Sequence, residues 1–190
     1  MAKSAGKIVG ILAVVLLMIS GCTRKKPTLE TQETGQILKN FKLEFFDSSF
    51  KITLEGLAAE KKQDSHTAVS QPAIEIKSKN FILEIRTGSK GTGELFLDPS
   101  TQAVMKIVIQ NNVMITQKNP ENSQTNFSAT CEKLTYIEKD DTVVMEGSPQ
   151  VIQGSNLYSA DRITYTFKEN KLRFEGNVQV RFKKETAGSN

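Results

Sequence analysis

Toward its C-terminal end the chain alternates apolar and polar residues with a period of two, and it does so twice in nearly the same phrase. Residues 134–151 read LTYIEKDDTVVMEGSPQV and residues 163–180 read ITYTFKENKLRFEGNVQV. The offset is 29 residues without a gap. Seven of the eighteen positions are identical, among them Tyr136/Tyr165, Glu146/Glu175, Gly147/Gly176 and Val151/Val180. Such alternation marks strands with one buried face and one wet face. In the second copy Ile163, Tyr165 and Phe167 share a face, as do Leu172 and Phe174, then Val178, Val180 and Phe182, while Arg173, Gln179 and Arg181 point away. The first copy puts Leu134, Tyr136, Val143, Met145 and Val151 on the equivalent face. Each copy therefore predicts strand, polar turn, strand, Glu-Gly bend, strand. A fainter third copy with a longer turn runs from Gly93 to Ile115 and includes Ile107 and Ile109. Repetition at a fixed period predicts stacked units that bury a face only against their neighbours.

Upstream the same punctuation continues. Short apolar runs at 41–46, 50–57, 73–77, 81–87, 94–97, 104–109, 113–117 and 127–130 are broken by turns every eight to twelve residues, the all-β pattern. No amphipathic helix stands out. Residues 58–71 (AAEKKQDSHTAVSQ) read as a loop or a frayed strand-to-loop crossing. The expected core domain covers residues 36–184, a normal single-core size. A polar tether containing Pro27 precedes it at 22–35, and a disordered tail follows at 185–190.

The first 21 residues change the picture. Lys3 and Lys7 precede an apolar run from Ile8 to Ile19, and Ser20-Gly21-Cys22 follows. A dozen residues is short for a spanning helix, which needs roughly 17–25, and the flanks suit a secretory signal. Small residues before a Cys match the bacterial lipoprotein signal. The match implies cleavage before Cys22 and lipidation of its thiol. Loss of Lys3 and Lys7 leaves 23 basic residues against 21 acidic, so the formal charge falls from +4 to about +2. That balance, without clustered Lys or Arg, gives no case for nucleic acid. Two cysteines with one lipidated leave Cys131 unpaired, and a lone strand Cys acts as a small buried hydrophobe.

Candidate chemistry is sparse. His66 is the sole histidine and cannot hold zinc without partners. Gly88–Gly93 is glycine-rich but lacks phosphate-loop spacing and a following helix, so a turn is expected. Asp140 and Asp141 sit at a turn tip. No catalytic set, metal site or cofactor is expected. The apolar face then has two uses: a closed dry core, or a folded sheet left partly open as a lipid groove.

The phrase Asp161-Arg162-Ile163-Thr164-Tyr165, a turn, then Phe174-Glu175-Gly176-Asn177-Val178-Gln179-Val180 resembles the OstA-like repeat of lipopolysaccharide export proteins. Asn40-Phe41-Lys42-Leu43-Glu44-Phe45-Phe46-Asp47 followed by Lys51-Ile52-Thr53-Leu54-Glu55 resembles the opening of the LptC branch. The resemblance implies a single elongated, twisted, partly open β-jellyroll that holds acyl chains inside. It implies receipt of lipopolysaccharide, or a similar amphiphile, from an inner-membrane ABC transporter complex and delivery to an LptA-like periplasmic protein. Groove candidates are Ile107, Ile109, Val143, Met145, Ile163, Tyr165, Leu172, Phe174, Val178 and Val180. The final strand, with Val178, Gln179, Val180, Arg181 and Phe182, is the candidate partner edge. The competing reading is an anchored assembly lipoprotein that uses its sheet edges only to bind protein. The chain departs from the LptC pattern in carrying a lipid anchor rather than a transmembrane helix. Thr23 also replaces the Asp that retains enteric lipoproteins in the inner membrane, so anchoring in the periplasm at either membrane is compatible with the sequence.

Overall fold

Fourteen antiparallel strands follow one another among the described residues, with a single 3-10 turn, Glu138–Asp140, between the eighth and ninth. The computed structural model describes residues 37–46, 49–62 and 66–182. Cys22, the tether and the tail lie outside them. The strands are β1 (Ile37–Phe46), β2 (Lys51–Lys61), β3 (His66–Ser70), β4 (Ala73–Lys77), β5 (Ile82–Thr87), β6 (Thr92–Leu97), β7 (Val104–Lys118), β8 (Thr125–Ile137), β9 (Thr142–Glu146), β10 (Gln150–Gln153), β11 (Asn156–Ser159), β12 (Arg162–Thr166), β13 (Lys171–Glu175) and β14 (Gln179–Arg181).

The sheet folds over on itself along one line, and the long strands cross that line. One half of β2 pairs with β4 and the other with β3; β7 divides its pairing between β5 and β6, and β8 between β10 and β9. Two facing layers result. Across one layer runs the row Leu38, Ala59, Val69, Gly93, Ile109, Leu134, Met145, Ile163, Phe174, each paired with the next. Across the other runs Leu43, Leu54, Ile74, Ile85, Ile115, Ala129, Val151, Tyr158, Val180. Apart from Leu38, Gly93 and Val180, these rows belong to one hydrophobic cluster. Aromatic rings tie it together: Phe81 and Phe127 of one layer meet Tyr165 of the other edge-on, at 5.9 and 5.3 Å between centroids. That offset geometry suits the ring quadrupoles.

The fold line is made by residues that accept positive φ. Asn111 and Asn112 of β7 bulge opposite Glu132, at φ 73° and 57°. Gly147 and Gly176, the glycines of the repeated Glu-Gly, take φ 77° and 71° at the equivalent places in later units. A Cβ at Gly147 would lie 2.6 Å from Glu132 Cβ, and one at Gly176 would strike the Asp161 carboxylate. Backbone bonds stitch the line: Gln71 to Gly91, Gly88 to Asn112, Glu132 to Gly147 and Asp161 to Gly176, at 2.9–3.3 Å. The glycine-rich stretch thus makes a turn on this line at residues 88–91, and Thr92 and Gly93 begin β6.

Three expectations about elements change. Residues 58–71 are mostly strand: β2 runs on to Lys61, and β3 follows. Pairing with β6 supplies what local polarity hid. The runs at 104–109 and 113–117 join into β7, because Asn111 and Asn112 bend the strand without ending it. The run at 127–130 likewise continues through Glu132 into the first repeat copy as β8.

Candidate functional site

Both interior rows are buried along their middles, and no described strand covers their ends. Ile109, Leu134, Met145 and Ile163 have no exposed surface to speak of, nor do Leu54, Ile85 and Val151. At one end the rows stop at Leu38, which is exposed, and Leu43, which is half-buried. At the other they stop at Phe174, half-buried, and Val180, 39% exposed. The repeat explains the second end. Val143 and Met145 of the first copy are covered by Tyr165 and Ile163 of the second, and Val151 by Tyr158; Leu172, Phe174 and Val180 occupy the same places in the second copy, and no further strand among the described residues covers them.

The groove candidates therefore separate into two sets. Ile107, Ile109, Val143, Met145, Ile163 and Tyr165 are closed inside the cluster. Leu172 and Phe174 stand at its open end, Phe174 against Tyr158 at 5.4 Å. Val178 lies just before β14 and is 51% exposed. Of the edge candidates, Gln179, Val180 and Arg181 form β14, while Phe182 follows it and is 76% exposed.

An open cavity of about 590 Å³ sits at this end. Phe127, Tyr165, Leu172 and Phe174 give it an apolar wall; Asn126, Gln153, Asn170 and Lys171 lie on its polar side. Tyr165 donates its hydroxyl hydrogen to Asn170 Oδ1 at 2.7 Å. Burial pushes its pKa up to about 12, with the Gln117 side chain beside it opposing part of that rise. It stays a neutral phenol at any physiological pH. Gln117 also lines the cavity. It is fully buried, and neither its Nε2 nor its Oε1 has a hydrogen-bond partner. Leaving a buried amide unpaired costs about 1–3 kcal/mol.

Strand edges are the second feature. Among the described strands β1 pairs only with β2, β13 only with β12 and β14 only with β11. Unpaired edges present a row of free N–H and C=O groups that another chain can complete. The sequence singled out only the β14 edge. The β1 and β13 edges escaped because an edge is a property of topology, not of any residue. Gln117 was also missed, although a signal was there: it breaks the inward series Val113, Ile115 with a polar residue.

Reactive groups are few. Burial raises the Cys131 thiol to about 12, so it stays protonated and unreactive. His66 stacks on Phe96 at 5.4 Å between centroids. No three His, Cys, Asp or Glu side chains come together as a metal site among the described residues.

The sequence profile described as "LptA/(LptD N-terminal domain) LPS transport protein" matches residues 62–171, more than half of this chain. The chain is also similar in fold to the crystal structure of LptH, the LptA-homologous periplasmic component of the lipopolysaccharide transport device of Pseudomonas aeruginosa. The TM-score is 0.53 at 14% identity, over 70% of this chain and 95% of that one. No curated protein matches in sequence.

Proposed function

This chain belongs to the LptA/LptD N-terminal domain family of lipopolysaccharide transport proteins, and from that premise we propose that it is a non-enzymatic periplasmic carrier of lipopolysaccharide that shields acyl chains between its two layers. The observation that carries this is the pair of apolar rows left uncovered at both ends by the described strands. A closed dry core would end in polar caps. An interior open at β1 and again at β13 and β14 is suited to continuity with like molecules on either side. Shielding matters because each acyl methylene exposed to water costs about 0.8 kcal/mol.

Handover requires a neighbour in register. The free β13 and β14 edges are placed to take the first strand of an LptA-like partner by main-chain hydrogen bonding, which would cover Phe174 and Val180 together. On this reading the chain is an LptC-type station. A lipid on Cys22 holds it to the membrane, where it receives lipopolysaccharide from the inner-membrane ABC transporter. Several acyl chains on that anchor would hold firmly where one is marginal.

Equilibrium binding tests the carrier reading. The purified protein is expected to bind lipopolysaccharide saturably, and Phe174→Asp in a still-folded protein to abolish it. Unchanged binding by that variant would contradict an interior site. For the edge, deletion of residues 178–182 is expected to remove binding of an LptA-like partner; a folded deletion variant that still binds would contradict it. Mass spectrometry of the mature N-terminus decides the anchor: an intact Met1 excludes it.

A further inference from the structure

Gln117 stands in an otherwise apolar inward row: Phe45, Ile52, Ile76 and Leu83 on one side of it, Phe127 on the other. Each residue in the row pairs with the next across strands, so Gln117 is fixed by register to face inward. It has no exposed surface and both polar atoms lack partners. The nearby Tyr165 hydroxyl donates to Asn170 Oδ1; its oxygen lies close enough to the carboxamide to feel it, but not in hydrogen-bonding geometry. For packing alone a Leu or Ile would suit this place better, as at Ile76 and Leu83. Yet Gln117 is one of the residues bordering the 590 Å³ cavity, together with Phe127, Tyr165, Leu172 and Phe174.

We infer that this cavity is a subsite for the polar linkage of an acyl chain, and that Gln117 reads the linkage. This rests on the carrier reading above and narrows it to a chemical class. Nε2 lacks an acceptor and Oε1 lacks a donor, so the ligand group must supply both. A hydrocarbon supplies neither. A simple ester supplies only an acceptor. A carboxylate has no donor and would bring an unpaired charge into the interior. A secondary amide or a hydroxyl on the acyl chain supplies donor and acceptor together. The apolar wall takes the chain, and Lys171, also at the cavity, suits an anionic headgroup.

Matched probes test this on the purified full-length protein, each below its micellar concentration, with lipopolysaccharide measured in parallel. The probes are N-dodecanoyl-phosphoethanolamine, its plain ester counterpart, and that ester carrying a 3-hydroxydodecanoyl chain. The protein is expected to bind the amide, the hydroxylated ester or both about tenfold tighter than the plain ester, the scale of one well-made hydrogen bond. Which of the two gains identifies the source of the group. In Gln117→Leu the three probes are expected to bind alike, and the variant to melt at higher temperature than the parent without ligand. Lipopolysaccharide binding without any discrimination among the probes by the parent protein overturns the role of Gln117 and leaves the carrier reading standing. Discrimination that survives in Gln117→Leu also overturns it, since another group would then be the reader. Failure to bind lipopolysaccharide at all overturns the carrier reading itself. Should Gln117→Leu fail to fold, discrimination by the parent protein decides.

Discussion

Met145 and Phe174 are the same position of two repeat copies, and they flank Ile163 in one cross-strand row. Met145 has neighbours on both sides and is fully buried; Phe174 has a neighbour on one side only and is half-buried. Position in the stack, not residue type, sets the difference. Met145→Ala is expected to cost about 2–5 kcal/mol, the usual range for emptying a packed core site. Phe174→Ala is expected to cost less than half as much, because part of its ring is in water before the mutation. Urea unfolding of both variants checks this. Equal losses would mean that the open end is as well packed as the middle.

The fold line makes a sharper demand on backbone. Asp161 N–H donates to the Gly176 carbonyl at 2.9 Å, and Asn177 Nδ2 donates to Asp161 Oδ2 at 2.8 Å. Gly176 needs positive φ and has no room for a Cβ. Gly176→Ala is therefore expected to destabilise by about 1–3 kcal/mol. Gly154 also has positive φ, but nothing lies within 4 Å of its absent Cβ. Gly154→Ala should lose only the backbone part, and denaturation midpoints of the pair separate strain from collision.

Much of this architecture is readable in the sequence. Alternation through Ile163, Tyr165, Leu172 and Phe174 put the right residues inward, because period two fixes the face once a strand is granted. The Glu-Gly pairs marked bends, since a Gly at each recurrence implies a backbone need. Burial along the stack was not readable. Met145 and Phe174 look alike in sequence, and only the count of rungs on either side distinguishes core from open end. The fold line was hidden in β7 and β8 because Asn111, Asn112 and Glu132 bend the strands without the glycine that marks the later copies. The β3 strand was missed for a related reason: His66–Ser70 alternates weakly and is held by pairing with both β2 and β6.

One carboxylate gives a pH signature. Asp98 Oδ1 accepts from the Ser100 hydroxyl and from the backbone N–H groups of Thr101 and Ser100, which lower its pKa from 3.8 to about 2. A pKa lowered by folding favours the ionised form in the folded state. Its contribution is complete above about pH 4 and is lost as pH falls toward 2. Asp98→Asn should flatten the acid limb of stability over that window and leave neutral-pH behaviour nearly unchanged. An unaltered acid limb would show that the β6–β7 turn does not depend on the charge.

The conduit itself is tested most directly by photo-crosslinking from adjacent positions of β13 during lipopolysaccharide transport. Phe174 faces the interior row and Arg173 the outer surface. A crosslinking residue at 174 is expected to form adducts with lipopolysaccharide, and the same residue at 173 to form few or none. Equal labelling at both positions, or only protein adducts at 174 while lipid is being exported, would contradict passage through the interior.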